Sequence, residues 1–177
     1  MKLEKYYSRH TTDDALRAME HYAKLQKDSP EVKNAVNYIL MGVDLKDYKL
    51  VFATIRNFII NNMQYVPDGE EAMQFGFDGS DLELIKSPRA ILESGRYDCD
   101  CATTLIASLL LSIGIPVRFV VISTMPYEMT GPEGWTHVYA EGYDSIEKKW
   151  IIIDPVSHPA EKQMILDTKQ HKIYNLI

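Results

Sequence analysis

The chain is predicted to be an α+β protein, with N-terminal helices and a central cysteine-bearing helix packed on an antiparallel β-sheet. Three observations carry that expectation. The first is order: helix-type periodicity fills the first half and strand-type alternation the second. The second is an uncharged run from Thr103 to Val117, opened by Asp98-Cys99-Asp100-Cys101-Ala102 and closed by Ile113-Gly114-Ile115-Pro116. That pattern is a buried helix with a sharp stop. The third is the set of strand signals at 117–123, 135–143 and 149–154.

The earlier elements follow from local chemistry. Thr11 or Thr12 can cap a helix whose inner side holds Ala15, Leu16, Met19, Tyr22, Ala23 and Leu25. Ser29-Pro30-Glu31 is a second start, with serine as cap and proline at the first helical position, running towards Gly42. Asp44 is expected to cap a third helix, striped with Leu50, Val51, Ile55, Phe58 and Ile59. An acidic loop is expected from Pro67 to Lys86, with Phe75-Gly76-Phe77 at its middle, and Ser87-Pro88-Arg89 opens a short helix that Gly95 stops. The expected division is a helical extension over 1–44 and a main domain over 45–177, together one compact unit.

Bulk properties narrow the function. A net charge of −6 argues against a sequence-independent grip on nucleic acid, which needs a basic face. The start, Met1-Lys2-Leu3-Glu4, lacks the apolar region of a signal peptide, and Leu105 to Ile115 is too short to span a bilayer. Two cysteines two residues apart cannot staple a fold and read as thiols of a reducing compartment. A cytoplasmic protein is expected, with no cofactor.

At 3.6 residues per turn, Ala102, Leu105, Ile106, Leu109, Leu110 and Ile113 form one stripe of the central helix, with Cys99 at its edge. Cys101 falls with Ser108 and Ser112 on the opposite side. Cys99 is therefore expected to face the sheet, and Cys101 the N-terminal helices. A helix start carries partial positive charge and free N–H groups, which favour a thiolate and a developing oxyanion. Asp98 can cap the helix, but its carboxylate opposes a thiolate next door.

Alternation puts Trp135, His137, Tyr139 and Glu141 on one strand face, and Trp150, Ile152 and Asp154 on one face of the next. A hairpin loop centred on Ser145-Ile146 sets His137 directly opposite Asp154, within reach of a hydrogen bond. Asp154 would then orient the imidazole, and His137 would take the thiol proton and return it to a leaving amine. Zinc held by Cys99, Cys101 and His137 is disfavoured, because a Cys-x-Cys pair on a helix sends its thiols to opposite sides. No metal site is expected.

These residues resemble the transglutaminase-like superfamily of papain-like cysteine enzymes. The matching segments are Asp98-Cys99-Asp100, Ser112 to Arg118, Thr136-His137-Val138 and Asp154-Pro155. Tyr65-Val66-Pro67-Asp68 and Ser87-Pro88-Arg89-Ala90 look like small phage or prophage members. The resemblance covers about residues 45 to 156. It implies a Cys99–His137–Asp154 triad working through a thioester on an amide or peptide substrate, as protease or amidase, deamidase or transglutaminase. Gln64 resembles a second oxyanion donor, beside the Cys99 backbone N–H, and Trp135 a wall of the cleft. Tyr97 stands where a glycine is common, placed to narrow the cleft, and Cys101 where a second acidic residue is common. The alternative reading is a non-catalytic structural or assembly protein, for instance of a phage particle, whose partners are other phage structural proteins and whose location is the virion.

Overall fold

The computed structural model describes residues 5–8, 11–74, 83–123, 134–156 and 171–176. In chain order the elements are β1 (Lys5–Ser8), α1 (Thr12–Gln26), α2 (Pro30–Ile39), α3 (Tyr48–Asn62), β2 (Gln64–Tyr65), α4 (Asp68–Gln74) and β3 (Glu83–Lys86). There follow α5 (Pro88–Ser94), β4 (Arg96–Tyr97), α6 (Cys99–Ser112), β5 (Val117–Ile122), β6 (His137–Asp144), β7 (Lys149–Ile153) and β8 (His171–Asn175). The fold is α+β. A four-stranded antiparallel sheet of order β7-β6-β5-β8 backs α6, and the helices α1, α2 and α5 cover its other sides.

Local signals set most boundaries. Ser29 caps α2 by accepting the Val32 N–H, Ser87 caps α5 through Ala90, and Gly95 ends α5 at φ 63°. Gly114, at φ 77°, turns the chain out of α6. Such positive φ is open to glycine at little cost. Thr11 occupies the cap position of α1, but its hydroxyl donates to the Asp14 side chain instead of capping backbone. The cap of α3 is Asp47, which accepts the Leu50 N–H, and Asp44 closes the turn before it through the Lys46 N–H. On the inner faces Leu16, Met19, Val51, Phe52, Ile55 and Ile59 are buried, whereas Leu25 and Leu50 turn outward.

The stretch expected to be loop between Pro67 and Lys86 contains α4 and β3; Phe75-Gly76-Phe77 lies outside the described residues. Two pairings join distant segments and have no local signature. β1 pairs with β3, and β8 pairs with β5.

Among the described residues, one core cluster runs from α1 through α6 to β5, β6 and β7. Helix α6 is enclosed on every side: Cys101, Ala102, Leu105, Ser108 and Leu109 are all inaccessible to solvent. The β6–β7 turn is centred on Ile146-Glu147, one residue later than expected, and Asp144 Oδ1 accepts the N–H groups of both. The register therefore slides by two, Ala140 facing Ile153, and Asp154 follows just past the paired stretch. A slide of two keeps every side chain on its face. Gly142 lies against the Phe52 ring of α3; a Cβ there would stand 2.6 Å from it.

Candidate active site

The first position of α6 carries Cys99, and β6 begins at His137. Both line one pocket against the sheet. The imidazole Nε2 of His137 is 2.7 Å from Asp154 Oδ2, so Nδ1 remains for a second partner. Asp154 is held at its other oxygens as well: Oδ1 accepts the Val156 N–H at 2.9 Å, and its carbonyl accepts Arg56 Nε–H at 2.8 Å. The diagonal offset left by the register slide is what this bond spans.

Thr103 sits one turn after Cys99 and ties the helix start to β6. Its hydroxyl lies 2.7 Å from the Cys99 carbonyl and 3.2 Å from that of Val138. The thiol of Cys99 is half-buried. Burial pushes its pKa well above the usual thiol range, the carboxyls of Asp100 and Asp98 push the same way, and the Val138 N–H opposes them. Burial and the two carboxyls thus favour the protonated thiol over the thiolate.

Cys101 faces away, as the helix period requires. It is fully buried, and its Sγ–H points to the Leu84 carbonyl of β3 at 3.6 Å. Asp98 caps α6 through the Cys101 N–H at 3.1 Å. Burial first, then Asp100, raises its pKa far above the ordinary carboxyl range. Asp68, from α4, is pushed up to about 8, first by burial and then by neighbouring Asp98. Neighbouring buried carboxyls cannot all ionise. Proton retention here softens the opposition that Asp98 offers to a thiolate at position 99.

The same cluster has a measurable consequence for stability. The folded chain keeps a proton on Asp68 that the unfolded chain releases above about pH 4. Its contribution is therefore complete below that range and declines as pH rises towards 8. Asp68→Asn keeps an acceptor for the Leu84 N–H, which Asp68 Oδ2 receives at 2.6 Å, and removes the titration. Urea unfolding should show wild type losing stability relative to Asp68→Asn between about pH 5 and 8, by up to about 1.4 kcal/mol per pH unit. Equal pH slopes would refute the assignment.

Among the remaining expected site residues, Trp135 lines the Cys99 pocket. Gln64 is exposed on β2, its backbone N–H bonded to the Gly95 carbonyl, and is not among the residues lining that pocket. Tyr97 is buried, edge-on to Tyr65 at 5.7 Å. Burial first, then the Asp154 charge, raises its pKa, and it is likewise absent from the pocket lining. The grouping of possible metal ligands within 4.8 Å is Asp98, Asp100 and Cys101, not Cys99, Cys101 and His137. In that grouping the Cys101 thiol and the Asp98 carboxylate already have protein partners.

A cysteine at the start of a buried helix, beside a histidine–aspartate pair on an antiparallel sheet, defines a papain-like thiol fold. The transglutaminase-like superfamily matches residues 41–155, and the chain belongs to it. Several solved structures share the fold, two of which illustrate it. One is a candidate cysteine protease from Cytophaga hutchinsonii, 16% identical with a TM-score of 0.52, the match covering 94% of this chain and 52% of that one. The other is a candidate protease from Parabacteroides distasonis, 15% identical with a TM-score of 0.51, covering 81% of this chain and 26% of that one. This chain thus spans about half and about a quarter of their lengths. Among curated proteins none matches. No helix among the described residues is long and apolar enough to cross a membrane.

Proposed function

We propose that the chain is a cysteine-dependent acyl-transfer enzyme acting on an amide or peptide bond of a protein or peptide. The observation that carries this reading is the shared pocket of Cys99 and His137, with His137 held by Asp154 at 2.7 Å. With Nε2–H donated to Asp154, Nδ1 accepts the thiol proton as the sulfur attacks the substrate carbonyl. The Cys99 backbone N–H, which has no intrahelical partner at the helix start, is offered to the oxyanion. Collapse breaks the C–N bond, the imidazolium returns its proton to the departing amine, and a thioester remains. Water or a second amine then attacks the thioester, His137 again relaying the proton, and the thiol is restored. The raised thiol pKa makes the base indispensable.

Iodoacetamide alkylation, mapped by mass to Cys99 or Cys101, tests this. Cys99 should react at neutral pH, below the range where it would ionise alone, and His137→Ala should slow it by about 10²- to 10⁴-fold. Cys101, fully buried, should stay unmodified, so Cys99→Ala should abolish labelling. A Cys99 no faster than a free thiol and indifferent to His137→Ala would instead support a non-catalytic assembly protein that keeps the fold.

A further inference from the structure

Beside Cys99 a half-open pocket offers about 140 Å³, and one of its walls is α1. That wall consists of Ala15, Leu16 and Met19, and Val121 and Trp135 face it from the sheet side. Among the described residues that line it there is no carboxylate or ammonium group; the polar ones are Thr12, Thr136, Cys99 and His137. Two carboxylates of α1 are engaged outside the pocket. Asp13 pairs with Lys172, and Glu20 meets Lys24 at 2.8 Å and accepts from Tyr174 Oη–H at 2.6 Å. Both β8 contacts anchor α1 to the sheet and fix the width of the gap.

We propose that α1 is the specificity wall of the site, and that it selects an acyl donor with an uncharged apolar side chain of leucine or methionine size. This rests on the acyl-transfer reading and adds the substrate class. An apolar cavity of about 150 Å³ holds a benzene ring, so one such side chain fills the space. A charged side chain would lose its hydration there without a counter-charge. Among the described lining residues, a glutamine amide would find two threonine hydroxyls apart from the Cys99–His137 pair itself. The acyl portion is the part the sulfur keeps through the thioester stage, and the sulfur is itself part of this pocket's lining.

The test uses acetyl-aminoacyl chloromethyl ketones, in which the thiolate displaces chloride and forms a thioether. Leucine and methionine probes should label Cys99 at least about tenfold faster than glutamine, glutamate and lysine probes. Ala15→Leu should compress the leucine-to-glycine rate ratio by about tenfold or more by filling the space. Thr12→Lys, at a half-buried helix-start position, should raise the glutamate rate relative to leucine. Rates within twofold across all probes, with labelling still dependent on His137, would overturn the specificity wall and leave the nucleophile standing. A preference for glutamine or a charged probe would overturn it too. Silence of Cys99 towards both these probes and iodoacetamide would overturn both readings.

Discussion

Asp154→Asn should slow the neutral-pH alkylation of Cys99 by about 10²- to 10⁴-fold, nearly as far as His137→Ala does, although the histidine remains. An asparagine amide facing Nε2 donates where the carboxylate accepts. The imidazole must then carry its proton on Nδ1, the nitrogen required to take the thiol proton. The fold should survive, because asparagine can still accept the Val156 N–H and the Arg56 contact is made to backbone. Comparison of alkylation rates with far-UV and thermal unfolding curves separates the two effects. An Asp154→Asn protein that alkylates like wild type would reduce the 2.7 Å bond to a structural contact.

Breaking the Lys86–Glu71 pair should cost about 3–5 kcal/mol of folding stability from either side. Lys86 is only 2% exposed, and its ammonium lies 2.6 Å from Glu71 Oε2 and 3.2 Å from the Arg96 carbonyl. Burial works against its charge, yet Cys101, Glu71 and Asp98 outweigh burial and raise its pKa. Glu71→Ala leaves that ammonium in the interior without its partner, and Lys86→Met strands the carboxylate. The double variant Glu71→Leu/Lys86→Met removes both charges and should recover most of the loss. Chemical denaturation of the three variants checks this; additive single losses would mean that the pair is not coupled. The pair braces α4 and β3 beneath the first turn of α6, so the singles should also loosen the setting of Cys99.

The sequence makes the reactive elements legible because they obey short periods. The 3.6-residue repeat separates Cys99 from Cys101, and strand parity puts His137 and Asp154 on one face. Parity survives the two-residue register slide, which is why the pair meets although the hairpin turn lies one residue later than its composition suggests. The α3 cap is a choice between two aspartates, and tertiary contacts decide it. Tyr48 Oη meets Ser145 Oγ at 2.7 Å and Lys49 meets Glu147 at 2.5 Å, fixing the start of α3 against the β6–β7 turn.

What stays hidden is non-local or runs against composition. Lys86 and Glu71 read as a solvated charge in an acidic stretch, since such residues are almost never fully buried unless paired. Strand β8 alternates exposed and half-buried positions, too weakly apolar to announce itself. Arg56 bonds a backbone carbonyl 98 positions away, for which no sequence pattern exists. Gln64 rests on local resemblance alone; its strand is exposed and it is not among the described residues lining the Cys99 pocket.

Strand β8 also sets the order in which the molecule can be completed during synthesis. β5 and β6 leave the ribosome well before residues 171–175, so until then β5 presents an unpaired edge. Over the same interval Asp13 and Glu20 lack Lys172 and Tyr174, and nothing from β8 holds α1 against the sheet. A nascent chain can therefore contain cysteine, histidine and aspartate before the gap beside the sulfur has its final width. The proposed specificity wall is thus fastened to the sheet only after the strands that carry the other side of the pocket have formed.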